Sequence, residues 1–130
     1  MCLEVIAQIQ PESKGRVSAR RLSETSRLHV SKVRFRGAPA LHFSVRGGCS
    51  CDFLSDSAEF EAPVWALDSE HLPALAGAIS LLGSEARSFT FLAHWLDGKA
   101  PAETLKVKLS ALIKDIEENR VKNNVLYLVG

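Results

Sequence analysis

The sequence lacks the short motifs from which common enzyme classes are read. It contains no GxGxxG, GxxxxGK[ST], HExxH, GxSxG or CxxC pattern. These patterns mark sites for dinucleotides, for nucleotide phosphates, for catalytic zinc, for a hydrolase serine, and for paired metal or redox cysteines. Their absence excludes the enzymes that are simplest to recognise. An enzyme whose residues come together only in the fold stays open, because a nucleophile needs its base near in space and not in sequence.

Long apolar runs and a basic leader are also missing. The longest uncharged run, with His counted as neutral, extends from His71 to Ser84 and is too short to cross roughly 30 Å of hydrocarbon as a helix. The first apolar stretch is interrupted by Glu4 and Gln8, and no Lys or Arg precedes it. We therefore expect no membrane segment, no export and a cytoplasmic location.

Cysteines are few and their number is odd. Cys2, Cys49 and Cys51 are the only three, and the last two are separated by a single residue. That spacing is too strained for an ordinary structural disulfide. The sequence predicts reduced thiols, as in a cytosolic protein.

The composition is that of a globular protein with charge unevenly distributed along the chain. Of its 130 residues, 46% are hydrophobic and 24% are charged, which predicts a packed core and one domain spanning residues 1–130. Residues 1–50 hold nine Lys and Arg against three Asp and Glu, whereas residues 51–130 hold seven against twelve. Halves of +6 and −5 favour self-association or a protein partner over nucleic acid.

The spacing of apolar residues predicts an α+β fold. Alternation indicates strands, and apolar residues three or four apart indicate helices. The predicted elements, in order, are a strand at 2–9, a weak helix at 18–28 or a strand at 16–22, a hairpin of 28–36 with 41–46, a loop at 49–62, a helix from Asp68 or Ser69 to Gly83, a strand at 88–96, a strand at 105–109, a helix capped by Ser110, and a strand at 125–129. This order predicts an antiparallel or mixed sheet with helices mainly on one face. A ferredoxin-like core with a C-terminal helix-strand extension is the specific expectation.

The hairpin is expected to have one apolar face and one basic face. We predict that Phe35 and Phe43 lie inward, in the core. The outward face would carry Arg34, Arg36, His42 and Arg46, which we predict to be a partner-binding surface. A basic strand pair can also follow phosphates, although the aromatic residues that stack on bases are expected on the other face.

The Cys-x-Cys segment is the strongest local indication of chemistry. Two glycines precede Cys49-Ser50-Cys51, and they allow backbone conformations that are closed to other residues. Exposed amides there would favour a thiolate, which binds soft metal ions or attacks electrophiles. Cys49 and Cys51 are therefore predicted ligands of a transition metal such as zinc, with Cys2, His42 or His94 as a third ligand. The alternative is that both thiols simply pack as small apolar groups.

Three functions follow from these observations. The first is a non-catalytic binding or interaction module with a thiol site for a transition metal or a redox partner. The second is a nucleic-acid-binding domain that uses the basic hairpin. The third is a small enzyme with Cys49 or Cys51 as nucleophile and a histidine, His42 or His94, as base; His94 on its own is otherwise explained as a partly buried histidine with one hydrogen bond.

Overall fold

The residues that the structure of this α+β protein describes form six strands and three helices. The computed structural model describes residues 2–9, 18–59, 62–96 and 100–130. The elements are β1 (Leu3–Ile9), α1 (Ala19–Ser26), β2 (His29–Phe35), β3 (Ala38–Ser44), α2 (Leu72–Glu85), β4 (Phe89–Trp95), β5 (Glu103–Val107), α3 (Leu109–Glu117) and β6 (Val125–Val129). Short 3-10 turns occupy Ser50–Phe53 and Ser69–His71. Within the described residues, no helix combines the length and apolar character needed to cross a membrane.

The strands form one mixed sheet in the order β2-β3-β1-β4-β6-β5. All neighbouring pairs are antiparallel except β5 and β6, which are parallel and joined through α3. The predicted class and mixed sheet are confirmed. The ferredoxin-like core stays a prediction, with which the element order β1-α1-β2-β3-α2-β4 is compatible.

One face of the sheet packs against the helices. Alternate residues of β1, namely Leu3, Val5 and Ala7, join a single buried cluster with side chains from α1, α2 and α3. In α2, Ile79 is fully buried, as the helical spacing predicts. The undecided segment is a helix: Ser18 caps α1 by accepting a hydrogen bond from the backbone N–H of Arg21.

The opposite face of the sheet is also covered near its centre. Ile6 and Leu92 are each 1% exposed, yet neither belongs to the helix-side cluster. On this face the ring of Phe35 meets the ring of His94 edge-on, with centroids 5.6 Å apart. Because β2 and β4 are three strand spacings apart, roughly 14 Å in a flat sheet, the tip of the hairpin must curl over this face.

The predicted inward position of Phe35 is wrong. A two-residue turn, Arg36-Gly37 with φ of 52° and 78°, places Phe35 opposite Ala38 and Val30 opposite Phe43. Phe43 is fully buried on the helix side, whereas Phe35 is half-buried on the other face. The sequence pattern indicates a four-residue connection at 37–40, which hides this register.

Two predicted helix boundaries also change. Gly83 lies inside α2, which ends at Glu85, and a Cβ at Gly83 would collide with the side chain of Leu109. This glycine allows α2 and α3 to approach closely, so it is not a helix terminator. Helix α3 begins at Leu109 with Lys108 as its N-cap, two residues ahead of the predicted Ser110 cap. Asp68, predicted as one of two possible caps of this helix, caps the 3-10 turn that leads into α2, and α2 itself begins at Leu72.

Candidate functional site

A turn at Gly47 brings the Cys-x-Cys segment next to the start of β1. After β3, Gly47 has φ of 90°, a conformation that side-chain-bearing residues rarely adopt, and its N–H donates to the hydroxyl of Ser44. Cys49 is extended and precedes the 3-10 turn that contains Cys51. The turn closes when the N–H of Leu54 donates to the carbonyl of Cys51 at 2.9 Å.

Ser50 fixes this segment to the sheet. Its side chain is fully buried, and its hydroxyl accepts from the N–H of Val5 at 3.0 Å and donates to the carbonyl of Phe43. Val5 and Phe43 are partners in the β1–β3 register, so the hydroxyl bridges two strands at one pair. The sequence analysis missed this role, because Ser50 is an ordinary residue between two cysteines until the strand pairing is known.

Three sulfurs converge beside this anchor. The Sγ atoms of Cys2, Cys49 and Cys51 all lie within 4.8 Å of one another. Cys2 and Cys49 are exposed, whereas Cys51 is half-buried and accepts the N–H of Leu3 at 3.2 Å. Of the three possible third ligands, the structure thus brings in Cys2. Across the described ranges of the chain, no fourth Cys, His, Asp or Glu joins this group.

The environment shifts the pKa values of Cys49 and Cys51 in opposite directions. A hydrogen bond from the Cys51 side chain lowers the pKa of Cys49, and one from Cys2 acts in the same direction. Burial raises the pKa of Cys51 to about 11. Of these two thiols, Cys49 therefore loses its proton first as the pH rises, while Cys51 is still a protonated donor beside it.

The two histidines considered as ligands or bases are engaged elsewhere. His94 is 6% exposed, and its Nε2 lies 2.8 Å from Oε1 of Glu4, the residue opposite it in the β1–β4 register. The Nε2 of His42 lies 3.3 Å from the hydroxyl of Ser50. Burial lowers the pKa of His42, and the neighbouring Glu4 carboxylate opposes that shift. His94 is thus a buried, partnered histidine.

The predicted basic face is not one continuous surface. Arg34 is opposite Pro39 and His42 is opposite Ser31, so alternation places Arg34 and His42 on different faces of the hairpin. Arg34 donates to the carbonyl of Gly37 at 2.6 Å. The guanidinium of Arg36 lies 5.2 Å from the centroid of the Phe35 ring. Arg46 is exposed and follows the end of β3. His42 lies on the predicted face, opposite Phe43 and the helices, but it is half-buried there; the outward assignment of Arg34 is wrong, because Arg34 shares a face with Phe43.

A second group of potential metal ligands lies at the start of α2. Oxygen or nitrogen atoms of Asp68, Glu70 and His71 fall within 4.8 Å of one another. Glu70 and His71 also border a cleft of about 660 Å³ between α1 and α2, which Arg27 lines from the other side. The Asp68 carboxylate already accepts the N–H of Glu70 as a cap, which explains its position without a metal.

Comparison with known proteins gave no match to a protein family, to a curated protein or to a solved structure. The geometry of the sites is therefore the only basis on which a function can be inferred.

Proposed function

We propose that this protein is a binding module whose three-thiol site, Cys2, Cys49 and Cys51, binds one soft transition-metal ion such as zinc. The observation that supports the proposal is the convergence of three sulfurs from two distant chain segments. Packing alone does not require such a cluster, because buried cysteines behave as separate small apolar groups. Two of these three are exposed.

The sulfur separations suit a metal after a small contraction. Zinc binds thiolate sulfur at about 2.3 Å, so two sulfurs on one ion lie roughly 3.8 Å apart. All three distances here are within 4.8 Å, so each sulfur would need to move by about 1 Å or less. A fourth position on the ion would be filled by water or by a donor from another molecule.

Proton release would accompany binding. Metal coordination requires thiolates, so the Cys51 thiol, with its raised pKa, would release its proton to solvent as the ion binds. Apparent affinity should therefore increase with pH through the neutral range. Thiolates select soft or borderline ions over magnesium and calcium, which prefer oxygen ligands.

The test is a titration of reduced, metal-free protein with Co²⁺, followed by competition with Zn²⁺. Sulfur-to-cobalt charge-transfer absorption in the near ultraviolet would report thiolate ligation at one ion per chain. Cys2→Ser, Cys49→Ser and Cys51→Ser should each weaken binding by more than the roughly 10- to 100-fold typical of losing an outer-shell contact.

His71→Asn is the matched control, because it removes a ligand from the second group and leaves the thiols intact. It should bind cobalt like the unmodified chain. Loss of binding in His71→Asn with retention in the cysteine variants would place the ion at α2 and contradict the proposal. Absence of any charge-transfer band would contradict it as well.

The other functions inferred from sequence stay predictions with less support. For a nucleic-acid site, two of the predicted arginines are engaged within the hairpin, with Gly37 and Phe35. For an enzyme, the low-pKa thiol is Cys49, but His94 is paired with Glu4. Self-association or a protein partner also stays a prediction.

A further inference from the structure

The three thiols differ in how freely they can move. Cys2 precedes β1 and Cys49 precedes the 3-10 turn, and both are exposed. Cys51 lies inside the turn, where its carbonyl and its sulfur both accept backbone hydrogen bonds, from Leu54 and Leu3 respectively. Any reaction that moves two sulfurs together therefore requires least rearrangement for Cys2 and Cys49.

The buried hydroxyl of Ser50 opposes a bond between the two nearest cysteines in sequence. A disulfide needs sulfurs about 2.05 Å apart and a restricted torsion, which residues two apart reach only with a distorted backbone. Here the intervening residue holds Val5 and Phe43 by buried hydrogen bonds. Closing a Cys49–Cys51 bridge would break those bonds, at a cost that joining Cys2 to Cys49 avoids.

We propose that Cys2 and Cys49 form a redox-sensitive dithiol, in which oxidation by a low-molecular-weight disulfide joins the two residues in a bond. The Cys49 thiolate attacks one sulfur of the oxidant, forms a mixed disulfide and releases one small thiolate. The Cys2 thiol then loses its proton to solvent and its sulfur attacks the Cys49 sulfur, which releases the second small thiolate. Two electrons pass from the protein to the oxidant, and two small thiols are the products.

This bond would remove two of the three metal ligands, so oxidation and metal binding exclude each other. That regulatory consequence depends on the proposed function, whereas the disulfide itself does not. Exposed disulfides of this kind are reducible, so the site returns to its metal-binding form when thiol reductant is restored.

The experiment oxidises reduced, metal-free protein with glutathione disulfide and maps the bond by mass spectrometry without reduction. Trypsin separates Cys2 from the other two cysteines, because Lys14 and Arg46 lie between them. The expected product links the peptide of Cys2 to that of residues 47–87. Cys51→Ser should give the same link, and Cys2→Ser should stop at a glutathione adduct on Cys49.

Each other result overturns the proposal. A bridge within the 47–87 peptide, a link that is lost in Cys51→Ser, or a disulfide between two chains would each show that a different pair reacts. A parallel sample is loaded with Zn²⁺ before oxidation and should resist it. If the predicted bond forms but no zinc binds, the dithiol stands and the proposed function fails. If zinc binds but the predicted bond does not form, the proposed function stands and the dithiol fails.

Discussion

On the helix-covered face of the sheet β1 contributes Leu3, Val5 and Ala7, whereas on the opposite face it contributes Glu4 and Ile6. The first set meets a continuous aliphatic and aromatic core. On the second face, Glu4 bonds to His94, and His42 reaches the hydroxyl of Ser50. Apolar contacts have no preferred direction, so neighbouring side chains can replace one another's contacts. A buried polar group, in contrast, needs a hydrogen-bond partner of its own. On this second face, the contact between His42 and the Ser50 hydroxyl connects the sheet to the thiol loop.

The helix-covered face should show the largest loss of stability on truncation. Ile79→Ala removes a fully buried side chain from α2 and should lower the free energy of unfolding by about 2 to 5 kcal/mol. Urea unfolding measures the loss. Ser80→Ala, at the exposed neighbouring position, should change stability by about 0.5 kcal/mol or less. Equal effects from the two variants would contradict the assigned helix face.

The thiol cluster should show a large difference in reactivity. With a pKa of about 11 against an ordinary 9.0, Cys51 carries about 100-fold less thiolate near neutral pH than an unperturbed cysteine. Iodoacetamide at pH 7 should therefore modify Cys49 first and Cys51 last in metal-free protein. Raising the pH should increase the rate of Cys51 modification by about tenfold per pH unit, up to roughly pH 10. Faster labelling of Cys51 than of Cys49 would contradict the assigned order of their pKa values.

Removing the hydroxyl of Ser50 tests whether this residue anchors the thiol loop to the sheet. Ser50→Ala leaves the N–H of Val5 without its buried acceptor, which should cost about 1 to 3 kcal/mol of stability. The same change should weaken Co²⁺ binding although no sulfur is lost. Ser57→Ala, in an exposed part of the loop, is the control for both measurements. Unchanged unfolding and cobalt titrations in Ser50→Ala would show that the thiol loop is held by other contacts.

The two glycines of α2 should respond differently to the same substitution. Gly77 faces open space, so Gly77→Ala should stabilise the helix by roughly 0.5 to 1 kcal/mol. Gly83→Ala introduces a Cβ against Leu109, and the displacement of that side chain should offset or exceed the same gain. Thermal unfolding of the two variants gives the comparison. Equal stabilisation would mean that α3 moves away without cost.

The spacing of apolar residues predicted the helices and strands well, because that spacing follows from which side chains are buried. The alternation in β1 and β4 and the helical spacing around Ile79 predicted strands and a helix that the structure contains. The face of Phe35 was predicted wrongly, because the turn uses an arginine, Arg36, at positive φ where glycine or asparagine would have marked it. Gly83 was misread for a related reason: glycine that ends a helix and glycine that admits a neighbouring helix look alike in sequence.

The candidate site was only half predictable. Cys49 and Cys51 are close together in sequence and attract attention by themselves. The contribution of Cys2 depends on β1 lying beside the end of β3, and the Glu4–His94 pair depends on the β1–β4 register. Such pairings join segments about 40 to 90 residues apart, as the bonds of Val5 to Ser50 and of Glu4 to His94 illustrate. Periodicity within a short window carries no information about them.

The central position of β1 has a consequence for the order of folding. Both strands that flank it, β3 and β4, come later in the chain, and the partner of Leu3 is Trp95. Bringing two strands together from distant parts of the chain costs conformational entropy before their contacts can compensate. Pairings between such distant strands therefore form late and slowly. Cys2 therefore stays apart from Cys49 and Cys51 in the nascent chain. The three thiols meet only once β1 lies beside the end of β3, so the proposed metal site cannot form in a chain that has not made this pairing.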